Sequence, residues 1–255
     1  MTGNKLLLQE RDRKLLAELG VMRIIDCEQT KVIGGFSSTR RANRRLLKLT
    51  RAGLLNRFFV GTVASGRKAV YVLSKKGASL VASPQRLVSR RFGQTVVGDL
   101  FVDHQMHINE VFAAVKFLPL PDGVEFMCWR SFAKPVSRSS LLIPDGYFQL
   151  HTAAGIRAHF LEVDLGTETR AVWEKKISTY LQFASSGEFQ RAFEPPQFRV
   201  LVLTTSEKRL ANIRAVILKH TDKIFYLTTF ECIKSSGLWS PLWLRPKGEQ
   251  RQSLI

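Results

Sequence analysis

Ser37–Gly53 reads SSTRRANRRLLKLTRAG, and the first half of the chain is interpreted outward from it. Ser37, Ser38 and Thr39 bring side-chain oxygens that accept from the open amides of a helix start, and Gly53 allows the left-handed residue that ends one. Between these signals Ala42, Leu46 and Leu49 fall on one side of a helical wheel. Arg40, Arg41, Arg44, Arg45, Lys48 and Arg51 fall on the other, within an arc of about 140°. The spacing predicts a helix with one packing face and one cationic face. Upstream, Leu8, Leu15, Leu16 and Leu19 predict a helix over 8–19 stopped by Gly20, and Asp26 caps a second over 26–33 closed by Gly34-Gly35. Downstream, LLNRFFVG (54–61) and KAVYVLS (68–74) read as strands joined through TVASGRK, with Arg67 and Lys68 at a basic tip. A short helix over 75–81 follows.

Helix, helix, basic helix and basic-tipped hairpin is the order in which a recognition helix enters the major groove and a wing touches the flanking backbone. LLKLTRAGLLNR and YVLSKKG resemble bacterial winged helix-turn-helix regulators in residues 46–57 and 71–77. The residues expected to contact DNA are Arg40, Arg41, Arg44, Arg45, Lys48, Arg51, Arg67 and Lys68. The alternative is that the same face docks an acidic protein.

Charge supports a polyanionic partner. The chain has 255 residues, 39 Lys+Arg against 21 Asp+Glu, and a net charge of +18. Residues 1–94 hold 20 basic and 5 acidic residues, whereas 95–255 hold 19 and 16. No acidic residue occurs between Glu28 and Asp99, and solvated surfaces normally mix signs. A hydrophobic content of 45% excludes a disordered chain. Cys27, Cys128 and Cys232 are too scattered for a zinc motif and predict reduced thiols in a cytoplasmic protein. The N-terminus lacks a signal peptide, and no apolar run suffices to span a bilayer, so no membrane partner is expected. The expected organisation is a DNA-binding domain over 1–83, a linker over 84–98 and a second domain over 99–255.

In the second domain, Asp99–Phe117 reads as a helix, followed by strands over 124–132, 141–150 and 156–164 and a helix over 167–184. FRVLVLTT (198–205) has the continuous apolar run of a strand covered on both faces. A helix over 206–219 and a strand over 223–230 complete a mixed α/β (α+β) sandwich. His104 and His107 have helical spacing but no evident third ligand, and read as packing or hydrogen-bonding groups. Asp145 lies in PDGYF on one strand, while Glu162 and Asp164 share one face of the next in FLEVDLG. Three converging carboxylates would suit Mg²⁺ or Mn²⁺.

Pro144-Asp145 separated by 16 residues from Glu162-x-Asp164, in a β-β-α context, resembles the PD-(D/E)xK nuclease superfamily. That resemblance implies a restriction-endonuclease-like domain with Asp145 and Glu162 as metal ligands. The whole chain is more closely similar to the bacterial replication-relaxation family, on Pro144-Asp145-Gly146, Glu162-Val163-Asp164, Lys176 and Tyr180. This implies a role in plasmid or mobile-element replication and mobilisation, with double-stranded DNA and replication or mobilisation proteins as partners. The second domain is then expected to form a homodimer, bind DNA or hold a partner. One departure matters: the superfamily's lysine falls at Asp164. Lys176, one helical face away beside Tyr180, is the candidate replacement in an active site of Asp145, Glu162, Asp164 and Lys176. The competing expectation is that Lys176 forms a structural ion pair with Glu162 or Asp164 in a domain that no longer cuts.

Overall fold

The computed structural model describes residues 6–61, 66–82, 96–137 and 140–255. Its mixed α/β chain divides into two compact units, Met1–Leu118 and Pro119–Ile255. Among the described residues no helix is long and apolar enough to cross a membrane, and Cys27, Cys128 and Cys232 are free thiols.

The first unit opens with α1 (Glu10–Met22), which buries Leu15, Leu16, Leu19 and Met22. The helix runs through Gly20, where the sequence suggested a stop, because Met22 continues the buried stripe; it ends at Arg23, in a positive-φ conformation. Helix α2 (Cys27–Ile33) is capped by Asp26, whose Oδ1 accepts from the Gln29 amide at 2.7 Å. Helix α3 (Thr39–Arg51) starts where Ser38 Oγ accepts from the Arg41 amide. Its buried side is Ala42, Leu46 and Leu49, as the wheel requires.

Strands β1 (Leu55–Gly61) and β2 (Arg67–Leu73) form an antiparallel hairpin with Leu55 opposite Leu73 and Gly61 opposite Arg67. Residues 62–65 of the expected tip lie outside the described residues. Ile25 adds a bridge to Tyr71, with amide–carbonyl distances of 3.0 and 2.8 Å in the two directions. The short α4 (Lys75–Leu80) is capped by Ser74, and at Gly77 a Cβ would come 2.1 Å from the Leu54 carbonyl oxygen, so only glycine fits.

Helix α5 (Val96–Lys116) belongs to this unit. The sequence placed it at the head of the second domain, after a linker of which 84–95 lies outside the described residues and 96–98 is helical. Its attachment is specific: Asn109 Nδ2 donates to the Ile24 carbonyl at 2.6 Å, Gln29 Nε2 donates to the Met106 carbonyl at 3.1 Å, and Lys116 pairs with Glu18 at 2.7 Å. Val102 and Met106 also join a cluster with Ile24, Val60, Val70 and Val72. An amphipathic helix does not disclose its partner, so periodicity alone could not assign it.

The second unit is a five-stranded sheet in the order β3-β4-β5-β6-β7. Strands β3 (Glu125–Arg130), β4 (Gly146–Thr152) and β5 (Gly155–Asp164) are antiparallel neighbours. After α6 (Arg170–Ser185) and α7 (Glu188–Ala192), β6 (Phe198–Thr204) pairs parallel to β5. Helix α8 (Glu207–Leu218) returns the chain to β7 (Phe225–Thr229), parallel to β6, and α9 (Phe230–Ser236) follows. One sheet face packs on α6 and α8 around Phe160, whose ring lies 4.9 Å from Tyr147, 5.0 Å from Phe198 and 5.8 Å from Tyr180. Pro144 and Asp145 precede β4 rather than lying inside it. Gly146 must lack a side chain, because a Cβ there would meet the Trp129 ring at 2.6 Å.

One ion pair ties α3 to α1. Arg45 grips the Asp12 carboxylate with two nitrogens and donates to the Leu7 carbonyl at 3.0 Å. Asp12 is completely buried and the Arg45 side chain is 13% exposed. Arg45→Ala is therefore expected to cost about 3 kcal/mol in urea unfolding, because it strands a buried charge. Arg44→Ala, on the exposed face, should stay within about 0.5 kcal/mol. Equal effects would remove this distinction.

Candidate functional site

Two groupings of charged side chains are the candidates, one in each unit. In the first, Arg40, Arg41, Arg44, Lys48 and Arg51 are exposed on α3, opposite its buried side. Arg45 does not share their freedom, being committed to Asp12. On the hairpin, Arg57 and Arg67 lie 5.2 and 5.6 Å from the ring centre of Phe59, which is 42% exposed. Lys68 turns back to the buried Asp26 carboxylate, so it braces β2 against the cap of α2. His107 Nδ1 contacts Glu110 at 3.2 Å.

In the second unit Glu162 and Asp164 point to the α6 side of the sheet, as strand alternation requires. Both are almost wholly buried. Glu162 Oε2 accepts from Lys176 Nζ at 2.8 Å and Oε1 accepts from the Tyr180 hydroxyl at 2.6 Å. Lys176 also donates to Glu168 at 2.6 Å. Asp164 is gripped by Arg209, with Nε to Oδ1 at 2.9 Å and a terminal nitrogen to Oδ2 at 2.6 Å, while Trp173 Nε1 donates to Oδ2 at 2.8 Å. The Gly166 amide donates to Asp164 Oδ1 at 2.6 Å. Asp145 Oδ2 accepts from the Val163 amide at 2.7 Å, which locks the Pro-Asp-Gly turn to β5.

The electrostatics follow from these partners. Burial pushes Glu162 up, to about 7; Lys176 opposes this and the nearby Asp145 charge reinforces it. Burial alone would lower Lys176, but Glu162 and Glu168 outweigh it and hold the ammonium above the ordinary lysine range. Burial and the Glu162 charge raise Tyr180, keeping its phenol a donor. Burial also works against ionised Asp164, but Arg209, Trp173 and the Gly166 amide hold its carboxyl below the usual range.

The structure thus brings Glu162 and Lys176 together and takes Asp164 away to Arg209. Among the described residues no group of three or more His, Cys, Asp or Glu side chains is placed to hold a metal ion. Both Glu162 oxygens and both Asp164 oxygens accept from protein donors. Glu168 and Arg209 were not singled out from sequence. Glu168 is one of several charged residues in a helix-leading loop, and Arg209 lies 45 residues from its partner.

Lys176→Met should destabilise the protein by about 3 kcal/mol above neutral pH and by clearly less at pH 5. Glu162 has a folded value raised above the unfolded one, so in that window the folded state binds the extra proton and stability falls as pH rises. Without Lys176 the same proton can neutralise Glu162 in acid. Urea unfolding at the two pH values checks this, and a pH-independent cost would contradict it. Mn²⁺ should leave the wild-type melting temperature unchanged; a rise abolished by Glu162→Gln would restore a metal role.

Comparison with curated proteins and with solved structures returns no match. The family model described as replication-relaxation matches residues 14–195, from α1 through the Pro-Asp-Gly turn, Glu162-Val163-Asp164, Lys176 and Tyr180. The match spans more than half of the chain, which belongs to the replication-relaxation family.

Proposed function

We infer that the chain binds duplex DNA through a winged-helix module formed by its first unit, as an accessory factor or regulator in replication or mobilisation of a plasmid or other mobile element. The observation that carries this reading is the exposed arc of Arg40, Arg41, Arg44, Lys48 and Arg51 on α3. A helix of about 10–12 Å diameter suits a major groove about 12 Å wide, and such an arc would meet phosphates and guanine edges together. Arg67, beside Phe59, would touch the neighbouring backbone as a wing. Arg45 and Lys68, also expected from sequence among the DNA contacts, pair with the buried Asp12 and Asp26 and so hold α3 and β2 in place. Family membership supports the replication context.

The second unit is, on this reading, a nuclease-like sandwich of the PD-(D/E)xK kind that no longer cuts. What supports this is the engagement of Glu162 by Lys176 and Tyr180 and of Asp164 by Arg209. On this reading Lys176 and Tyr180 neutralise and hold Glu162 as a structural group.

Replacing Arg40 and Arg44 by Ala together should weaken duplex binding by about 1–3 kcal/mol for each arginine that reads a base edge. The slope of log affinity against log salt should become shallower by about one for each phosphate no longer neutralised, with the melting temperature unchanged. Fluorescence anisotropy over a salt series reads both quantities. Unchanged affinity and slope would sink the recognition-helix assignment, and binding to an acidic protein but not to DNA would favour the docking alternative. Supercoiled plasmid incubated with the protein and Mn²⁺ should stay intact; nicking that disappears in Asp145→Asn would show an active nuclease.

A further inference from the structure

The sheet face turned away from α6 and α8 carries planar groups in register across the strands. Trp129 lies opposite Phe148, Phe148 opposite His159, and His159 beside Arg199. The Trp129 and Phe148 rings stack at 5.9 Å and 5°, and Phe148 and His159 at 4.8 Å and 16°. At the β6–β7 end, the guanidinium carbons of Arg199 and Arg245 lie 4.9 and 4.5 Å from the ring centre of Tyr226. Arg157 precedes His159 by two residues and so projects from the same face.

These three arginines have no anionic partner among the described residues. Arg199 donates to the Leu254 carbonyl, and Arg245 donates to the Tyr226 hydroxyl and the Asp222 carbonyl, each at 2.9 Å. Arg157 Nε and Arg245 Nε are buried without a hydrogen-bond partner, and so are both ring nitrogens of the wholly buried His159. Burial, reinforced by Arg199 and Arg157, pushes His159 down to about 3, so its ring is neutral and keeps one N–H to donate. Burial together with Arg157 and Arg245 lowers Arg199, although Tyr226 works the other way. Half-buried like charges are costly unless an opposite charge completes them. Elsewhere in this unit buried charge is matched: Glu162 by Lys176 and Asp164 by Arg209.

The geometry points to an oxyanion site on this face, in which Arg157, Arg199 and Arg245 bind a phosphate group. Guanidinium forks match phosphate oxygens in spacing and charge, and Tyr226 stacking holds two of them in place. The phosphate is either that of a nucleic-acid backbone or that of free phosphate or a nucleotide; the recognition chemistry is the same. The site is independent of the α3 reading.

The test uses the full chain carrying Arg40→Gln and Arg44→Gln, so that α3 does not answer for the second unit. Inorganic phosphate, titrated against chloride at constant ionic strength, should raise the melting temperature. Adding Arg157→Gln should lower phosphate affinity at least about tenfold. It should also raise the phosphate-free melting temperature, because one like charge is gone and the Arg157 Nε has no hydrogen bond to lose. Arg157→Lys, which keeps the charge, should retain part of the phosphate response. A short duplex forms the second arm. Weaker duplex binding in Arg157→Gln identifies the ligand as backbone phosphate, whereas unchanged duplex binding with a lost phosphate response identifies free phosphate or a nucleotide. If Arg157→Gln alters neither, the site is overturned, and the α3 reading, tested by Arg40 and Arg44 alone, is untouched.

Discussion

Two carboxylates buried side by side on one face of β5 constrain everything around them in the second unit. An ion in such a place is tolerable only when a partner neutralises it and its lone pairs are satisfied. The partners arrive from two helices. Lys176 and Tyr180, four residues apart on α6, both reach Glu162. Trp173, three residues before Lys176, and Arg209 from α8 both reach Asp164. Rotation or sliding of either helix would break a donor–acceptor pair in an apolar setting. The polar pairs therefore define the register that the surrounding apolar core, with Phe160 at its centre, leaves freer, since hydrophobic burial is non-directional.

The first unit uses its scarce acidic residues in the same way. Asp12 and Asp26 are buried and paired with Arg45 and Lys68, Glu18 with Lys116, and Glu28 with Lys31. Negative charge thus joins α1 to α3, α2 to β2 and α1 to α5, and among the described residues none of these pairs lies on the outer face of α3. Among the described residues the exposed arginines there have no carboxylate partner, and uncompensated positive charge of this kind attracts polyanions. One sequence pattern therefore contains two kinds of cation: Arg44 and Arg45 are neighbours in the chain, yet one faces solvent and the other grips a buried aspartate.

Asp164 lies within the replication-relaxation family match. Its cationic partner, Arg209, lies beyond residue 195, where the match ends. Arg209 anchors α8 through Asp164. Lys176 supplies positive charge near Glu162, its ammonium divided between Glu162 and Glu168.

Local chemistry alone determined the α2 and α3 caps, the β1–β2 hairpin, the buried run of β6 and the split between apolar and cationic faces of α3, because each depends on neighbours within a few residues. Boundaries moved where a longer stripe prevailed, as when Met22 carried α1 past Gly20. The tertiary structure decided three things. It gave α5 to the first unit through Asn109, Gln29 and Lys116. It paired Arg45 and Lys68 with the buried Asp12 and Asp26. It also separated Glu162 from Asp164 by giving each its own cation. The physical reason is common to all three. Which residue neutralises a buried charge or satisfies a buried carbonyl depends on distance in space, and periodicity reports which face of an element turns inward without naming what it will meet there.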